Sequence, residues 1–412
     1  MRRQWSINGR FVTQSVTGVQ RYAQEVVRAL DHLLCEDHPL ARGLEVQLLV
    51  PPGGTDHLGL RAIRLKSVGR VKGHLWEQIV LPRHARGGLV SLCNTGPLTA
   101  RKHIVCIHDL NTRSFPSSYS MRFRALYRML QPALGRCAAR IATVSQFSAN
   151  EIARYSVCPL DRIVVISNGH EHTNRWTPRH SAATRAAAGP NTIVIVGSTA
   201  PHKNVRLILD LARRLEEAGL GIAVAGLGDS RVFATDAAAP RAQNVAWLGR
   251  LSDSELAAML GDCLCLGFPS FVEGFGLPPL EAMALGCPVV ASDRASLPEV
   301  CGNAALYASP NDPDAWLAQF VRLSQDRELR TRMVARGRAR ASMFRWIRSA
   351  ELYLQAMADA DGLAECRRAS GSAGMRHDGF LKAVADGASD LLPDLDRPQS
   401  PAVRGGAPGW RS

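Results

Sequence analysis

A chain of 412 residues with 46% hydrophobic and 21% charged residues is long enough for two domains of ordinary size and has the balance of a globular soluble protein. No apolar run reaches the length of a membrane-spanning helix, and the opening MRRQWSINGRF has basic residues without an apolar core, which predicts no secretory signal. The formal net charge of +14 is uneven: residues 1–172 hold 23 Lys and Arg against 11 Asp and Glu, the remainder 27 against 25, so the first half is either a solvated basic face or meets an anionic partner such as a membrane surface or a phosphate-bearing acceptor. No basic-aromatic motif speaks for nucleic acid.

After a short strand, the segment Asn8 to Arg21 leads through Thr17-Gly18 into a helix from Val19 to Leu34. Val19, Tyr22, Ala23, Val26 and Leu30 recur there at helical spacing. A glycine loop before a helix N-terminus offers unpaired N–H groups to an anion, and Gly18 holds that place. Glu45 to Val50, Leu89 to Leu92 and Ile104 to Ile107 read as strands. The last ends in His108-Asp109, at the strand end where doubly wound sheets put their ligands. By position alone a histidine there is more often structural, and Asp109 either orients it or caps the next turn. Met121 to Arg140 reads as an arginine-rich helix with Phe123, Leu126, Leu130 and Leu134 on its apolar side. Such a helix lies on anionic lipid or is a plain surface helix. A strand from Ala142 runs into Ser145 and Ser148 at a helix start, and Val164 to Ile166 closes this half. Residues 173–190 lose periodicity and read as a linker.

Ile193 to Val196 opens the second half as a buried strand, followed by the loop GSTAPHKN and a helix marked by Val205, Ile208, Leu209, Ala212 and Leu215. Lys203 stands just before that helix, a compact charge suited to a phosphate. Ile222 to Ala225 and Val245 to Leu248 are further strands, the second ending in Gly249-Arg250. Asp253 to Cys263 reads as an amphipathic helix and the run from Cys263 to Leu266 as a strand. The ten cysteines include no C-x2-C pair, which fits a reduced cytoplasmic compartment without a zinc site. Asp312-Pro313-Asp314 reads as a capped helix start, with Asp312 as cap, and not as a metal-binding D-x-D. Phe344 to Met357 is a terminal helix. Residues 359–412 are rich in Gly, Ser, Pro and charge and read as a mostly disordered tail, with a short helix at Leu381 to Leu392.

The stretch from Gly267 to Leu285, GFPSFVEGFGLPPLEAMAL, concentrates the most chemistry. A glycine-broken loop, Glu273-Gly274-Phe275-Gly276, precedes Leu277 and a helix opened by Pro278 and Pro279, with Glu281 in its first turn. Strand, glycine loop and helix N-terminus make an anion site. Two carboxylates beside it suit the hydroxyls of a sugar or ribose and would repel a phosphate. The reading from these residues is a phosphate-bearing sugar or nucleotide, against the plainer one of a carboxylate stabilising a helix dipole.

Glu273 to Ser292 closely resembles the E-x7-E signature of the retaining glycosyltransferases of family 4, the large group 1 family with the GT-B fold. The resemblance extends to V-G-x5-K-N around Lys203, to an I-H-D-like segment at His108 and to V-S-x-x-S at Ser145 and Ser148. It implies two Rossmann-like α/β domains facing across a cleft: residues 1–172 for the acceptor and 191–343 for the nucleotide sugar, with 173–190 as linker and 344–358 as a helix crossing back. It implies Glu273, His108 and Lys203 as catalytic residues. Donor-binding residues would be Gly18, Ser198, Lys203, Gly249, Arg250, Gly274, Phe275, Gly276, Leu277 and Glu281, with Glu281 on the ribose and Gly249-Arg250 framing the base. Many members carry an arginine where Ser198 stands, so one expected cation is missing, and His202 compensates only weakly near neutral pH. The implied reaction is retaining, metal-independent transfer of a mannose- or glucose-type hexose from a GDP- or UDP-linked donor to a glycan or lipid-linked acceptor. No cofactor is implied, and the acceptor residues are not identified. Surface polysaccharide or lipopolysaccharide assembly, in the cytoplasm or on the inner face of the plasma membrane, is the expected setting. The competing readings are a GT-B nucleotide-sugar epimerase and, supported by Ser198, a non-catalytic nucleotide-sugar-binding protein.

Overall fold

The computed structural model describes residues 3–198, 200–226 and 243–362. The second glycine of Gly226-x-Gly228 and the expected helix at Leu381 to Leu392 lie outside the described residues. Strands β1 (Arg3–Asn8), β2 (Leu44–Val50), β3 (Arg64–Ser67), β4 (Gly88–Ser91), β5 (His103–Cys106), β6 (Arg140–Thr143) and β7 (Ile163–Val165) form one parallel sheet in the order β3-β2-β1-β4-β5-β6-β7. Strands β8 (Thr192–Val196), β9 (Gly221–Ala225), β10 (Val245–Gly249), β11 (Cys265–Phe268), β12 (Val289–Ser292) and β13 (Ala305–Ala308) form a second, in the order β10-β9-β8-β11-β12-β13. Short apolar runs such as IVIV in β8, alternating with helices, produce this result, since parallel strands must be covered on both faces. Both sheets reverse their winding once, between β1 and β4 and between β8 and β11. These are the switch points at which open α/β sheets bind ligands.

Each sheet has apolar clusters of its own, around Ile195 and Phe320 in the second and around Ile107 and Leu134 in the first, and a further cluster is shared. One buried apolar cluster holds Ile7, Tyr22 and Val90 of the first sheet region, Phe275, Leu280 and Val289 of the second, and Phe344, Trp346 and Tyr353 of the returning chain. The terminal helix, Trp346–Ala360, packs on the Gly18–Cys35 helix, with Tyr22 and Tyr353 hydroxyls 3.1 Å apart and Tyr22 donating to the Ile166 carbonyl at 3.2 Å.

Several local expectations shift. The arginine-rich helix is Met121–Cys137, and Arg140 instead opens β6. Of its expected apolar side, Leu130 and Leu134 are buried while Leu126 is exposed. The helix after Lys203 breaks at Leu211 into Val205–Asp210 and Ala212–Glu217. The strand expected from Cys263 starts at Cys265, and Cys263 caps the preceding helix, Asp253–Asp262. Strand β3, with the sequence RLKS, has no apolar signal because it is an exposed edge. The helix Arg327–Ala341 lacks an apolar periodicity for the same reason, burying little beyond Leu329, Met333, Gly337 and Ala341. Asp312 caps the Pro313–Gln325 helix, accepting from Ala315 N at 3.0 Å.

Asp361, next to last of the described residues, is anchored. Its carboxylate accepts from Arg3 Nε at 2.6 Å, Trp5 Nε1 at 3.1 Å and Lys102 Nζ at 2.8 Å. Burial opposes its charge, but the bonds from Lys102, Arg3 and Trp5 outweigh that and hold the carboxyl below its ordinary range. A depressed carboxyl pKa contributes stability near neutral pH that is lost as pH falls through it. Asp361→Ala is expected to destabilise the protein by about 2 kcal/mol at pH 7 and by less in acid. Urea denaturation at the two pH values checks this, and an equal loss at both would mean that the carboxylate's charge plays no part.

Candidate active site

The loops that leave β8 and β11 at the second switch point carry Lys203 and Glu273. Lys203 closes a short 3-10 turn, Pro201–Lys203. Its Nζ lies 2.7 Å from Glu273 Oε1 and 5.6 Å from the centre of the Phe268 ring. Glu273 is 8% exposed, so removing Lys203 would leave a buried carboxylate without its ion-pair partner.

The next residue brings in the first domain. A Cβ on Gly274 would lie 2.5 Å from the His108 carbonyl oxygen and 3.1 Å from Asp109 Cβ. Glycine is required because two backbones touch there. The Gly274 carbonyl accepts from Ser145 Oγ at 2.6 Å and lies 3.1 Å from Ser148 Oγ, which also reaches the His108 carbonyl at 2.9 Å. Beside them Glu299 accepts from the backbone N–H groups of Gln146 and Phe147 at 2.7 and 3.0 Å. This carboxylate of the second domain thus serves the N-terminus of a first-domain helix, Gln146–Arg154.

The Glu273–Gly274 loop therefore lies against the backbone of His108. The His108 ring lies edge-on to Tyr22, with centroids 4.8 Å apart, and its Nε2 is 2.8 Å from the Leu92 carbonyl. Nε2 must then be the protonated nitrogen, which leaves Nδ1 as an acceptor. Burial lowers the imidazole pKa from 6.5 to about 4, against the effect of the Leu92 bond, so the ring is neutral at physiological pH. Asp109 accepts from Asn111 N at 2.9 Å, which fits the turn-capping role. Burial raises its pKa, and the charge of Glu273 adds to this while Lys203 opposes it.

The helix after the glycine loop is Leu277–Ala284, with Gly276 as its cap at φ 99°. Pro278 and Pro279 occupy the second and third positions and carry no N–H. Of the amides expected to form an anion site, Leu277 and Gly276 remain. Glu281 is the fifth residue of the helix, not a first-turn residue, so it lies beyond the dipole's N-terminal end. Its Oε1 lies 2.8 Å from His172 Nε2. Phe275 packs edge-on to Phe344 at 5.6 Å, and its carbonyl accepts from Ser296 Oγ at 2.9 Å.

Gly18 is exposed, and a Cβ there would meet open space. Its loop does cross to the second domain: Arg250 donates to the Val16 carbonyl at 2.9 Å, and Arg21 pairs with Asp253. Gly249, at φ 63°, accepts from Gly226 N at 2.7 Å. Ser198 is half-buried in the Lys203 loop. His202 adds no cation. Its ring stacks on Tyr119 at 5.7 Å, and burial, with Lys203 beside it, lowers its pKa to about 4.

Two groups escaped the sequence reading. Glu77, 1% exposed, lies in a π-helical turn, Trp76–Val80, a local irregularity common at functional sites. Its carboxylate accepts from Asn8 Nδ2 at 2.7 Å and Thr95 Oγ1 at 3.0 Å, with Arg10 Nε and His74 Nδ1 each at 3.3 Å. Burial opposes its charge, yet these partners hold its pKa down. Asn8 ends β1, Arg10 follows it and Thr95 follows β4, at the switch point of the first sheet. The other group is His172 beneath Glu281, a histidine in an aperiodic segment. A G-H-E-H run carries no signal of a carboxylate 109 residues away.

Known proteins match both halves. The model described as Glycosyltransferase Family 4 covers residues 16–174, and that described as Glycosyl transferases group 1 covers 177–340. O-antigen chain mannosyltransferase B of Escherichia coli is 32% identical over 263 residues, 61% of this chain and 68% of that protein. The chain belongs to the group 1 glycosyltransferases. MMP alpha-(1->4)-mannosyltransferase of Mycolicibacterium hassiacum is 33% identical over 233 residues, 53% of each chain. Among solved structures, Anabaena HepE in complex with UDP and glucose superposes with a TM-score of 0.64 at 14% identity, over 87% of this chain and 100% of that one. WaaG, a glycosyltransferase involved in lipopolysaccharide biosynthesis, gives 0.59 at 14% identity, over 86% and 99%. The fold is GT-B.

The Gly274 contact makes one test specific. Gly274→Ala is expected to push the loop off His108 and lower transferase activity by about 10²-fold or more, while the far-UV circular dichroism spectrum is kept. Activity within threefold of wild type would show that the backbone contact is dispensable.

Proposed function

We propose that this glycosyltransferase moves a hexose, of mannose or glucose type, from a nucleotide diphosphate sugar to an acceptor hydroxyl with retention of configuration. The Lys203–Glu273 pair, set at a switch point and next to the Gly274 contact with the His108 backbone, carries the reading. Before donor binds, the two charges neutralise each other. The donor diphosphate competes for Lys203 Nζ, which releases Glu273 Oε1 to the hydroxyls of the transferred sugar. As the sugar–phosphate bond breaks, charge builds on the diphosphate, where Lys203 and the Gly276 and Leu277 amides stabilise it. His108 Nδ1 accepts a sugar hydroxyl, and Glu281 takes the ribose. Same-face attack needs no covalent carboxylate, the leaving phosphate taking the acceptor's proton.

The acceptor side is assigned to the first sheet's own switch point. Arg10, Glu77 and Thr95 stand there, and the Tyr127 hydroxyl feels the charges around it: burial, the largest cause, raises its pKa to about 12, Arg10 opposes this and Glu77 and Asp109 add to it. Two mannosyltransferase relatives act on O-antigen chains by name, and we assign this protein to surface-glycan assembly with a glycan or lipid-linked acceptor. Met121 and Met129, 82% and 72% exposed, flank arginines on the Met121–Cys137 helix. That face would bring the acceptor domain to anionic lipid. No helix among the described residues is long and apolar enough to cross a membrane.

Lys203→Ala is expected to slow transfer roughly 10²–10³-fold, and Glu273→Ala to abolish it with the fold intact. Proton NMR of the product should show the donor's anomeric configuration, and EDTA should leave the rate unchanged. An inverted product, or strict dependence on magnesium or manganese, would contradict the mechanism. Met121→Asp with Met129→Asp should reduce co-sedimentation with vesicles of phosphatidylglycerol; unchanged binding would remove this helix from the membrane reading.

A further inference from the structure

Three segments of chain converge on Glu281. His172 lies in the turn Glu171–Arg175, where the chain leaves the first domain, and Trp346 opens the helix by which it returns. Trp346 Nε1 donates to His172 Nδ1 at 3.0 Å, and His172 Nε2 lies 2.8 Å from Glu281 Oε1. An indole N–H only donates, so Nδ1 must accept, and the ring's proton sits on Nε2 and is given to the carboxylate. The imidazole is 0% exposed and held edge-on by Trp176, with centroids 5.3 Å apart. The two crossings are also tied to each other. Glu171 accepts from Trp346 N at 2.8 Å, and His170 donates its backbone N–H to the Phe344 carbonyl at 3.2 Å.

We propose that His172 is a positioning residue for nucleotide recognition. It occupies Glu281 Oε1 and so presents Oε2 to the 2′,3′-diol of the donor ribose, while Trp346 sets the tautomer that makes this bond. The charge-assisted pair from diol to carboxylate requires the carboxylate's plane to be fixed, and the two crossings fix it. The ribose is then read when both crossings are seated, which couples nucleotide affinity to the register of the domains. This rests on Glu281 as the ribose ligand.

The test uses the full-length chain, with calorimetric binding of UDP or GDP, whichever raises the melting temperature more, and of its 2′-deoxy counterpart. Wild type is expected to prefer the ribonucleotide by about tenfold or more. Glu281→Ala should bring that ratio near one. His172→Ala should cut the ratio at least about threefold with little effect on the deoxynucleotide, and Trp346→Phe should act in the same direction. His172→Gln, whose amide N–H can take the place of Nε2–H, should restore most of the ratio. A merely structural His172 would lower the melting temperature and weaken both nucleotides equally. An unchanged ratio in His172→Ala, with the ratio collapsed in Glu281→Ala, would overturn the positioning role. An unchanged ratio in Glu281→Ala would instead remove the ribose reading beneath it.

Discussion

The backbone contact between Gly274 and His108 governs this structure. Two sheets that could each fold around a separate core are held so that a loop of one lies on a strand end of the other. The constraint is steric before it is electrostatic, since a single methyl group at Gly274 would meet a carbonyl oxygen at 2.5 Å. Ser145, Ser148 and Glu299 then satisfy the polar groups that this approach removes from water. The contact lies beside an apolar cluster to which both sheets and the returning helix contribute.

Charge within the cleft is arranged in mutually neutralising sets. Lys203 answers Glu273, and Arg10 answers Glu77. Buried charges are tolerable only when paired, and pairs of this kind can be exchanged for a substrate's own charges. In the proposed mechanism a diphosphate replaces Glu273 at Lys203 without leaving a bare charge, because the released carboxylate turns to sugar hydroxyls. Histidines 103, 108 and 202 are kept neutral by burial, each with its pKa lowered to about 4. The proposed grip on phosphate therefore rests on the Lys203 charge and on the few amides that Pro278 and Pro279 leave free.

Much of the fold was legible because parallel strands buried on both faces must be short apolar runs, and IVIV, IAVA and HIVC read as such. Elements whose partners lie far away, or that face water, were not. The β3 strand RLKS sits at an edge, and the Arg327–Ala341 helix turns most of its arginines outward. The site was legible where its residues share one loop, as Glu273 and Gly274 do. Placing Lys203 and His108 beside them required the family resemblance, since spacing carries no distance between sheets.

By itself the sequence determined the α/β class, the glycine loop and the residue types able to hold a nucleotide sugar, because these depend on local periodicity and backbone freedom. Tertiary structure alone decided the pairings: Lys203 with Glu273, Glu299 with a helix of the other domain, and His172 between Trp346 and Glu281. Each joins residues 70 to 174 positions apart. Such bonds form only after two sheets have wound, reversed and docked, and a linear pattern holds no record of which ends will meet.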